Sequence, residues 1–211
     1  MNCNVISSGS KGNAVILSDI ILLDCGVPYK SIEPYVRGLK LVLLTHIHGD
    51  HFNTATIRRL HRERPTLRFG CGQWLVGPLI DCGVPANRID IYSDEIGYCY
   101  GSVSVEMFPL VHDVDNCGYK ILAGEERAIY ATDAGNLDGI SARDYDLYMI
   151  EANYTEAEIA ERIQRKLETG EFIYEYQAAI RHLSKEKADM WLAQNATPGK
   201  SKVIYLHKHE D

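Results

Sequence analysis

The chain has 211 residues, 45% of them hydrophobic, which supports one large packed domain or two small ones and argues against a disordered polypeptide. Its formal net charge of −7 disfavours non-specific binding to nucleic acid, which needs Lys and Arg to neutralise phosphates. The sequence has no run of membrane-spanning length, no signal-peptide pattern and six cysteines without the close pairs of a zinc ribbon, so we expect reduced thiols in a cytoplasmic protein.

The first half of the chain alternates predicted strands with predicted helices. Short apolar, partly β-branched runs bounded by turn residues predict strands at 2–6, twice within 14–24, and at 41–44, 67–71 and 89–92. Helical or turn segments are predicted between them at 29–37, from a cap at Asn53 or Thr54 to about 63, and around 73–81. This order is typical of a sheet covered by helices.

The loop after the predicted strand 41–44 carries the clearest chemical signal. His46 and His48 are two residues apart, so an extended backbone places both imidazoles on one side. Gly49 permits a sharp turn that brings Asp50 and His51 round beside them. Imidazole and carboxylate suit a borderline ion such as zinc, and this group is larger than one ion needs. The spacing therefore predicts two ions side by side. The alternative is a solvated histidine-rich loop, but burying these groups without a metal would be costly.

In the second half, further strands deliver possible ligands at their ends. We predict strands at 102–110, 119–123, 127–133, 147–153 and 203–206, and helices from a capping box at 155–158 to about 168 and at about 185–195. His112 follows the first of these strands and is the natural third imidazole for the ion of His46 and His48. Asp133 ends another strand. Because a carboxylate has two oxygens, we expect Asp133 to bridge the two ions, the alternative being an ordinary turn aspartate.

Together these motifs resemble the metallo-β-lactamase superfamily. The pattern that carries the resemblance, after an apolar strand, is His46-x-His48-x-Asp50-His51. One branch, the YycJ/WalJ-type nucleases and their phosphodiesterase relatives, is resembled by the segments 7–14, 23–26 and Arg181-His182-Leu183-Ser184. The likeness runs from about residue 3 to the C-terminus. It implies an α/β fold, a four-layer αββα sandwich, formed as a single domain over residues 1–211.

The resemblance also implies the full set of site residues. The two ligand sets would be His46, His48, His112 and Asp133 for one ion, and Asp50, His51, Asp133 and His207 for the other. His209 is a credible substitute for His207 because it lies two residues further on. Asp50 and His182 are the expected catalytic residues, with His182 contacting the phosphate or moving a proton. Asp24 is expected to support the loop 46–51, called the metal loop below, through hydrogen bonds. Relatives often have histidine where this chain has Tyr154, which leaves the role of that position open.

The function implied is hydrolysis of phosphodiester bonds, with DNA as the substrate of a 5′-to-3′ exonuclease. Three alternatives remain: a small cyclic phosphodiester as substrate, which the acidic net charge favours slightly; a lactone or thioester as substrate; and metal binding without turnover. Zinc is the expected ion, although manganese or iron accept the same ligands. No membrane partner is expected, and the oligomeric state is left open.

One cluster of basic residues is either a nucleic-acid contact or a solvated helix face followed by a loop. Its members are Arg58, Arg59, His61, Arg62, Arg64 and Arg68.

Overall fold

A computed structural model describes residues 1–94 and 96–208, and these form two six-stranded sheets. The first sheet contains, in both chain order and spatial order, β1 (Cys3–Ser7), β2 (Ala14–Leu17), β3 (Ile21–Leu23), β4 (Leu41–Leu44), β5 (Arg68–Cys71) and β6 (Ile89–Ile91). Strands β1 to β3 pair antiparallel, and β3 to β6 pair parallel. The carboxyl ends of β3, β4 and β5 therefore meet at one edge of this sheet.

The second sheet follows the same plan. Its strands are β7 (Gly97–Tyr100), β8 (Val103–Leu110), β9 (Asn116–Ala123), β10 (Glu126–Ala131), β11 (Leu147–Glu151) and β12 (Lys202–Leu206). Strands β7 to β10 form an antiparallel meander, whereas β10, β11 and β12 are parallel. The carboxyl ends of these last three strands also meet at one edge, so each sheet provides a set of adjacent strand ends from which side chains can converge.

Six α-helices cover the sheets in the described part of the chain: α1 (Tyr29–Ile32), α2 (Thr54–Glu63), α3 (Val76–Asp81), α4 (Glu156–Thr169), α5 (Glu175–Arg181) and α6 (Lys185–Asn195). The predicted caps are present, since Asn53 accepts from the Thr56 amide and Thr155 forms a capping box with Glu158. Gly170, at φ 71°, ends α4. None of these helices combines the length and the apolar composition that a membrane crossing would require.

The strand alternation explains the layers. Leu41 and Leu43 face the interior between the two sheets, whereas Val42 and Leu44 pack towards the helices that cover the first sheet. On the second sheet, Tyr130 points into the same interior, and the outward face packs against Leu192 of α6. The result is helix, sheet, sheet, helix, which confirms the predicted four-layer αββα sandwich.

The elements depart from the prediction in four places. Strand β7 was not predicted, because it is a short, half-exposed edge strand between Gly97 and Gly101. Helix α5 was not predicted either, because it has seven residues and no side-chain cap at its start. The predicted strands 127–133 and 147–153 each end two residues earlier than expected, at Ala131 and Glu151. This shortening matters for the site, because Asp133 lies in the turn after its strand.

Candidate metal centre

Three proposed site residues lie at strand ends in a left-handed backbone conformation. Asp24 follows β3 at φ 55°, Asp133 lies two residues after β10 at φ 55°, and His207 follows β12 at φ 52°. A non-glycine residue in this conformation costs about 1–3 kcal/mol and persists only where the surrounding structure holds it. All three side chains are buried. The fold therefore tolerates local strain at the points where these polar side chains leave their strands.

Beside these strand ends, three imidazoles form the first group of possible ligands. The Nε2 atom of His46 is 3.2 Å from Nδ1 of His48, and Nε2 of His112 is 3.4 Å from that same Nδ1 atom. His46 and His48 come from the loop after β4, whereas His112 follows β8 in the other sheet. The structure thus brings together the three histidines that the sequence assigned to one ion.

Hydrogen bonds set the tautomers of this group. Thr45 Oγ1 donates to Asp24, at 2.9 Å from Oδ1, and therefore accepts from Nδ1–H of His46, also at 2.9 Å. His112 donates its Nδ1–H to the carbonyl oxygen of Arg181 at 3.2 Å. Both rings consequently turn an unprotonated Nε2 towards His48. Burial and the neighbouring His51 lower the pKa of His46 to about 2, so this ring is neutral at physiological pH.

The second group combines carboxylates and imidazoles. His51 Nε2 is 2.8 Å from Asp133 Oδ2 and 3.6 Å from Asp50 Oδ2. His207 Nε2 is 3.8 Å from the same Asp50 oxygen, and its Nδ1 is 3.0 Å from Asp133 Oδ1. Possible ligand atoms of Asp50, His51 and His207 all lie within 4.8 Å of one another, which is close enough to hold one ion.

Asp133 lies between the two groups. One of its oxygens and ring nitrogens of His46 and His51 lie within 4.8 Å of one another. His46 belongs to the first group and His51 to the second, so the Asp133 carboxylate is placed to contact an ion in either group. This position is the one that the sequence prediction gave to the bridging ligand.

The donor set fits bound cations. Burial lowers the pKa of His51, but the Asp133 and Asp24 carboxylates outweigh burial and raise it well above its ordinary value. Burial raises the pKa of Asp133, yet His51 and His207 hold it well below its usual range. Carboxylates and ring nitrogens that face one another in a buried space need a positive charge among them, and divalent ions supply it as well as protons do.

Asp24 supports the metal loop from beneath. Its carboxylate is completely buried and accepts from the Thr45 amide at 2.9 Å and from the Tyr130 hydroxyl at 2.8 Å. It also accepts from Nδ1–H of His51 at 2.7 Å, which leaves Nε2 of His51 as the ligand atom. Asp24 therefore has the hydrogen bonds that the sequence led us to expect of it, because it fixes both the loop backbone and a ligand tautomer.

Close backbone packing holds the same loop against its neighbour. A Cβ atom on Gly26 would lie 1.6 Å from the carbonyl oxygen of Asp50, so no side chain fits there. Gly49 was expected to relieve a sharp turn, but its backbone is not in the left-handed region and a Cβ atom there would meet nothing within 4 Å. The glycine that the loop requires is therefore Gly26, which the spacing of the histidine motif did not indicate.

His182 lies beside both groups and is held by a buried carboxylate. Its Nδ1 is 2.7 Å from Glu151 Oε1, which is also 3.1 Å from His207 Nδ1. The other Glu151 oxygen accepts from the backbone amides of Ala134 and Leu183 at 2.8 and 3.2 Å. Burial lowers the pKa of His182, but Glu151 and Asp133 together raise it above its ordinary value. Sequence reasoning left Glu151 without a role, although its place at the end of a buried strand was a signal.

At the rim, Asp113 and Arg181 extend the first group. Asp113 Oδ1 is 3.1 Å from Nε2 of His112 and 3.5 Å from Nε2 of His48, while Arg181 Nη1 is 3.0 Å from Asp113 Oδ2. Neither residue was predicted, although Asp113 directly follows His112 and Arg181 directly precedes His182. The rim thus adds one negative and one positive side chain beside the imidazoles.

One position whose role the sequence left open lies away from the ligand groups. Tyr154 is buried, and its hydroxyl donates to the carbonyl oxygen of Ala179 at 3.4 Å, so it packs under α5 outside the ligand groups. His209, the substitute for His207, lies outside the described residues.

The basic cluster is largely engaged within the protein. Arg59 pairs with Glu33 and Glu63, and Arg68 pairs with Asp90. Arg64 donates to the carbonyl oxygens of Val36 and Leu39, in the segment between α1 and β4. These contacts give the cluster a structural role, while Arg62 points into solvent from α2.

A family model described as the β-lactamase superfamily domain matches residues 20–207, which is most of the chain and includes both ligand groups. The chain belongs to this superfamily. Solved structures agree, and they show the fold of its metallo-β-lactamase members. The metallo-β-lactamase fold protein YhfI from Bacillus subtilis matches with a TM-score of 0.74 and 15% identity, over 99% of this chain and 86% of that one.

Two further structures of this superfamily's fold are similar. The short form of human tRNase Z matches with a TM-score of 0.71 and 14% identity, over 100% of this chain and 93% of that one. A diphosphatase from the PhnP family matches with a TM-score of 0.65 and 14% identity, over 98% of this chain and 85% of that one. No curated protein matches the sequence. At these identities the likeness establishes the fold, whereas the reaction depends on the residues of the site.

Proposed function

We propose that the protein is a phosphodiesterase that depends on two divalent metal ions and cleaves nucleic acid, with DNA as its substrate in a 5′-to-3′ exonuclease reaction. We also propose that it belongs to the YycJ/WalJ-type branch of its superfamily. The observation that carries the proposal is the position of His182, whose proton-bearing ring is fixed by Glu151 beside two ligand groups that share Asp133.

The ligand residues define where the ions would bind. His46, His48 and His112 would hold one ion, Asp50, His51 and His207 the other, and Asp133 would contact both. When bound, two divalent ions in such a site lower the pKa of a water molecule towards neutrality and neutralise charge on phosphate oxygens. Zinc suits this histidine-rich set, and manganese or iron are the alternatives.

The chain's own residues supply the proton chemistry. Because Glu151 accepts from Nδ1–H of His182, the Nε2 atom of that ring is left to donate a proton to the departing alkoxide oxygen. The raised pKa of His182 keeps the ring protonated nearer to neutral pH. A nucleoside alkoxide is a poor leaving group that needs this proton, which favours a phosphodiester of a nucleotide over an activated ester.

The similar structures support phosphate-ester chemistry without deciding the substrate. One is named a tRNase Z and another a diphosphatase, and both have the fold of this chain. The net charge of −7 favours a second candidate, a small cyclic phosphodiester, because a small substrate needs fewer cationic contacts than a polynucleotide.

A panel of substrates tests the proposal. The metal-loaded protein should hydrolyse bis-p-nitrophenyl phosphate and release nucleotides from end-labelled DNA, and it should leave a lactone and a thioester intact. Hydrolysis of a 2′,3′-cyclic nucleotide without cleavage of DNA would replace the first candidate with the second. Lactone or thioester hydrolysis without any diester hydrolysis would refute both.

Two variants separate ligand from proton donor. Asp133→Ala should abolish hydrolysis and lower the metal content, because it removes the carboxylate common to both groups. His182→Ala should lower turnover by about 10²- to 10⁴-fold, the range for losing a general acid, while the metal content stays unchanged. Loss of metal from the His182 variant would show that His182 is a ligand and would refute its proposed role.

A further inference from the structure

A cleft of about 610 Å³ opens on the second sheet's helical side, between the loop 136–143 and α6. This volume is in the range of clefts that bind small organic groups. Its lining includes Asn136 and Leu183, which follow Asp133 and His182 by three residues and one residue. The Leu183 amide donates to Glu151, the carboxylate that holds His182. One end of the cleft therefore adjoins the proposed proton donor.

Two cationic side chains line this cleft. Arg143 and Lys187 are both exposed, and within the described residues neither side chain forms an ion pair. One carboxylate, Asp138, also lines the cleft, so the cations are in excess. In a chain with a net charge of −7, this local excess of positive charge next to a catalytic residue favours an anionic ligand.

The remaining surface of the cleft is apolar and includes a fixed aromatic ring. Trp191 donates from its indole nitrogen to the carbonyl oxygen of Ile140 at 2.9 Å, which ties α6 to the loop and orients the ring. Met190, 61% exposed, lines the cleft next to it. An oriented aromatic ring beside an adaptable thioether provides a surface on which a planar base can stack.

We propose that this cleft binds the nucleotide on the leaving side of the scissile bond, in a single strand of nucleic acid. Arg143 and Lys187 contact its neighbouring phosphates, and Trp191 and Met190 contact its base. The inference rests on the proposed phosphodiesterase function and deepens it, because it assigns a binding site to the nucleotide on the leaving side of the scissile bond. A 2′,3′-cyclic nucleotide could also place its base here, but it has no phosphate beyond the scissile one for Arg143 and Lys187 to contact.

The test measures binding separately from catalysis. Full-length, zinc-loaded protein is titrated into a fluorescently labelled single-stranded oligonucleotide with phosphorothioate linkages, which resist hydrolysis, at a series of salt concentrations. The variant Arg143→Ala/Lys187→Ala should bind about tenfold more weakly. Its slope of log K against log salt should be shallower by about 1.4, because each lost phosphate contact on a single strand contributes about 0.7. Since both side chains are exposed, its melting temperature should not change.

Two further variants serve as controls. Lys30→Ala/Arg37→Ala removes two exposed cations from α1 and from the turn after it, on the helical side of the other sheet, and should leave the slope unchanged. Arg143→Lys/Lys187→Arg keeps both charges and should retain the slope. Three outcomes would each overturn the inference. The alanine variant of the cleft could have the same slope as wild type, the alanine control could lose as much binding as the cleft variant, or wild type could fail to bind.

A parallel assay keeps the two proposals apart. If wild type hydrolyses bis-p-nitrophenyl phosphate but the cleft variant keeps the salt slope, the cleft inference fails and the phosphodiesterase proposal stands. If metal-loaded wild type hydrolyses neither that diester nor DNA, the phosphodiesterase proposal fails and takes the cleft inference with it.

Discussion

Replacing Glu151 with glutamine tests the proton chemistry with a change of one atom type. One Glu151 oxygen accepts from the amides of Ala134 and Leu183, and glutamine can keep these bonds through its own carbonyl oxygen. The amide nitrogen of glutamine would then replace the oxygen that accepts from His182 Nδ1 at 2.7 Å. The backbone hydrogen bonds from Ala134 and Leu183 are therefore kept, whereas the rings of His182 and His207 lose their carboxylate acceptor.

The size of the effect follows from this contact. A hydrogen bond to a charged group contributes about 1.5–3 kcal/mol, and Glu151 is completely buried, so solvent does not replace the lost acceptor. If this energy is lost from the transition state, kcat falls by roughly 10- to 150-fold. Without the carboxylate, the pKa of His182 falls. Since the protonated ring is the active form, the decline in rate at rising pH should begin at a lower pH than in wild type.

Two substrates with different leaving groups show whether the Glu151 change lowers kcat by impairing protonation of the leaving group. With DNA the full reduction is expected, whereas bis-p-nitrophenyl phosphate should lose much less, because p-nitrophenolate departs without protonation. In the double variant with His182→Ala, the Glu151 change should add little, since both changes remove the same function. An equal loss on both substrates, or additive losses in the double variant, would refute the reasoning. The metal content is measured throughout because His207 also contacts Glu151.

Three further predictions concern the metal loop and its ions. Gly26→Ala should lower both the melting temperature and the metal content, because its Cβ would overlap the Asp50 carbonyl oxygen, whereas Gly49→Ala in the same loop should change neither. Asp24→Asn should weaken zinc affinity by about 10- to 100-fold in competition with a chelator, because it weakens the support of a ligand. Burial lowers the pKa of His207, but Asp133 and Glu151 outweigh it and raise the pKa to about 10. That raised value stabilises the metal-free protein fully below pH 6.5, and the stabilisation is lost as the pH rises towards 10, so its melting temperature should fall across that range.

Each of these predictions has an outcome that would contradict it. Similar behaviour of the two alanine variants would show that backbone packing at position 26 does not hold the loop. Unchanged zinc affinity in the Asp24 variant would show that the ligand tautomer is set elsewhere. A melting temperature of the metal-free protein that rises from pH 6.5 to 10 would have the wrong sign for a protonated His207.

The sequence determined the layer structure and the positions of the ligands along the chain. Apolar alternation is a local property, so runs such as 41–44 predicted strands that the structure contains. The histidine motif lies within six consecutive residues, and its spacing indicated a metal centre before any contact was known. For the ligands far apart in the chain, such as His112 and Asp133, strand-end position and resemblance to a known superfamily supplied the prediction.

Only the tertiary structure decided how these residues are supported. Glu151 and His182 are 31 residues apart, and no local pattern joins them, but the end of β11 and the end of α5 bring them within 2.7 Å. Gly26 is needed because the backbone of Asp50 packs against it, a contact between two segments that sequence spacing does not encode. Periodicity reports which face of an element is buried, whereas contacts between elements depend on how the two sheets pack, and that packing is a property of the whole chain.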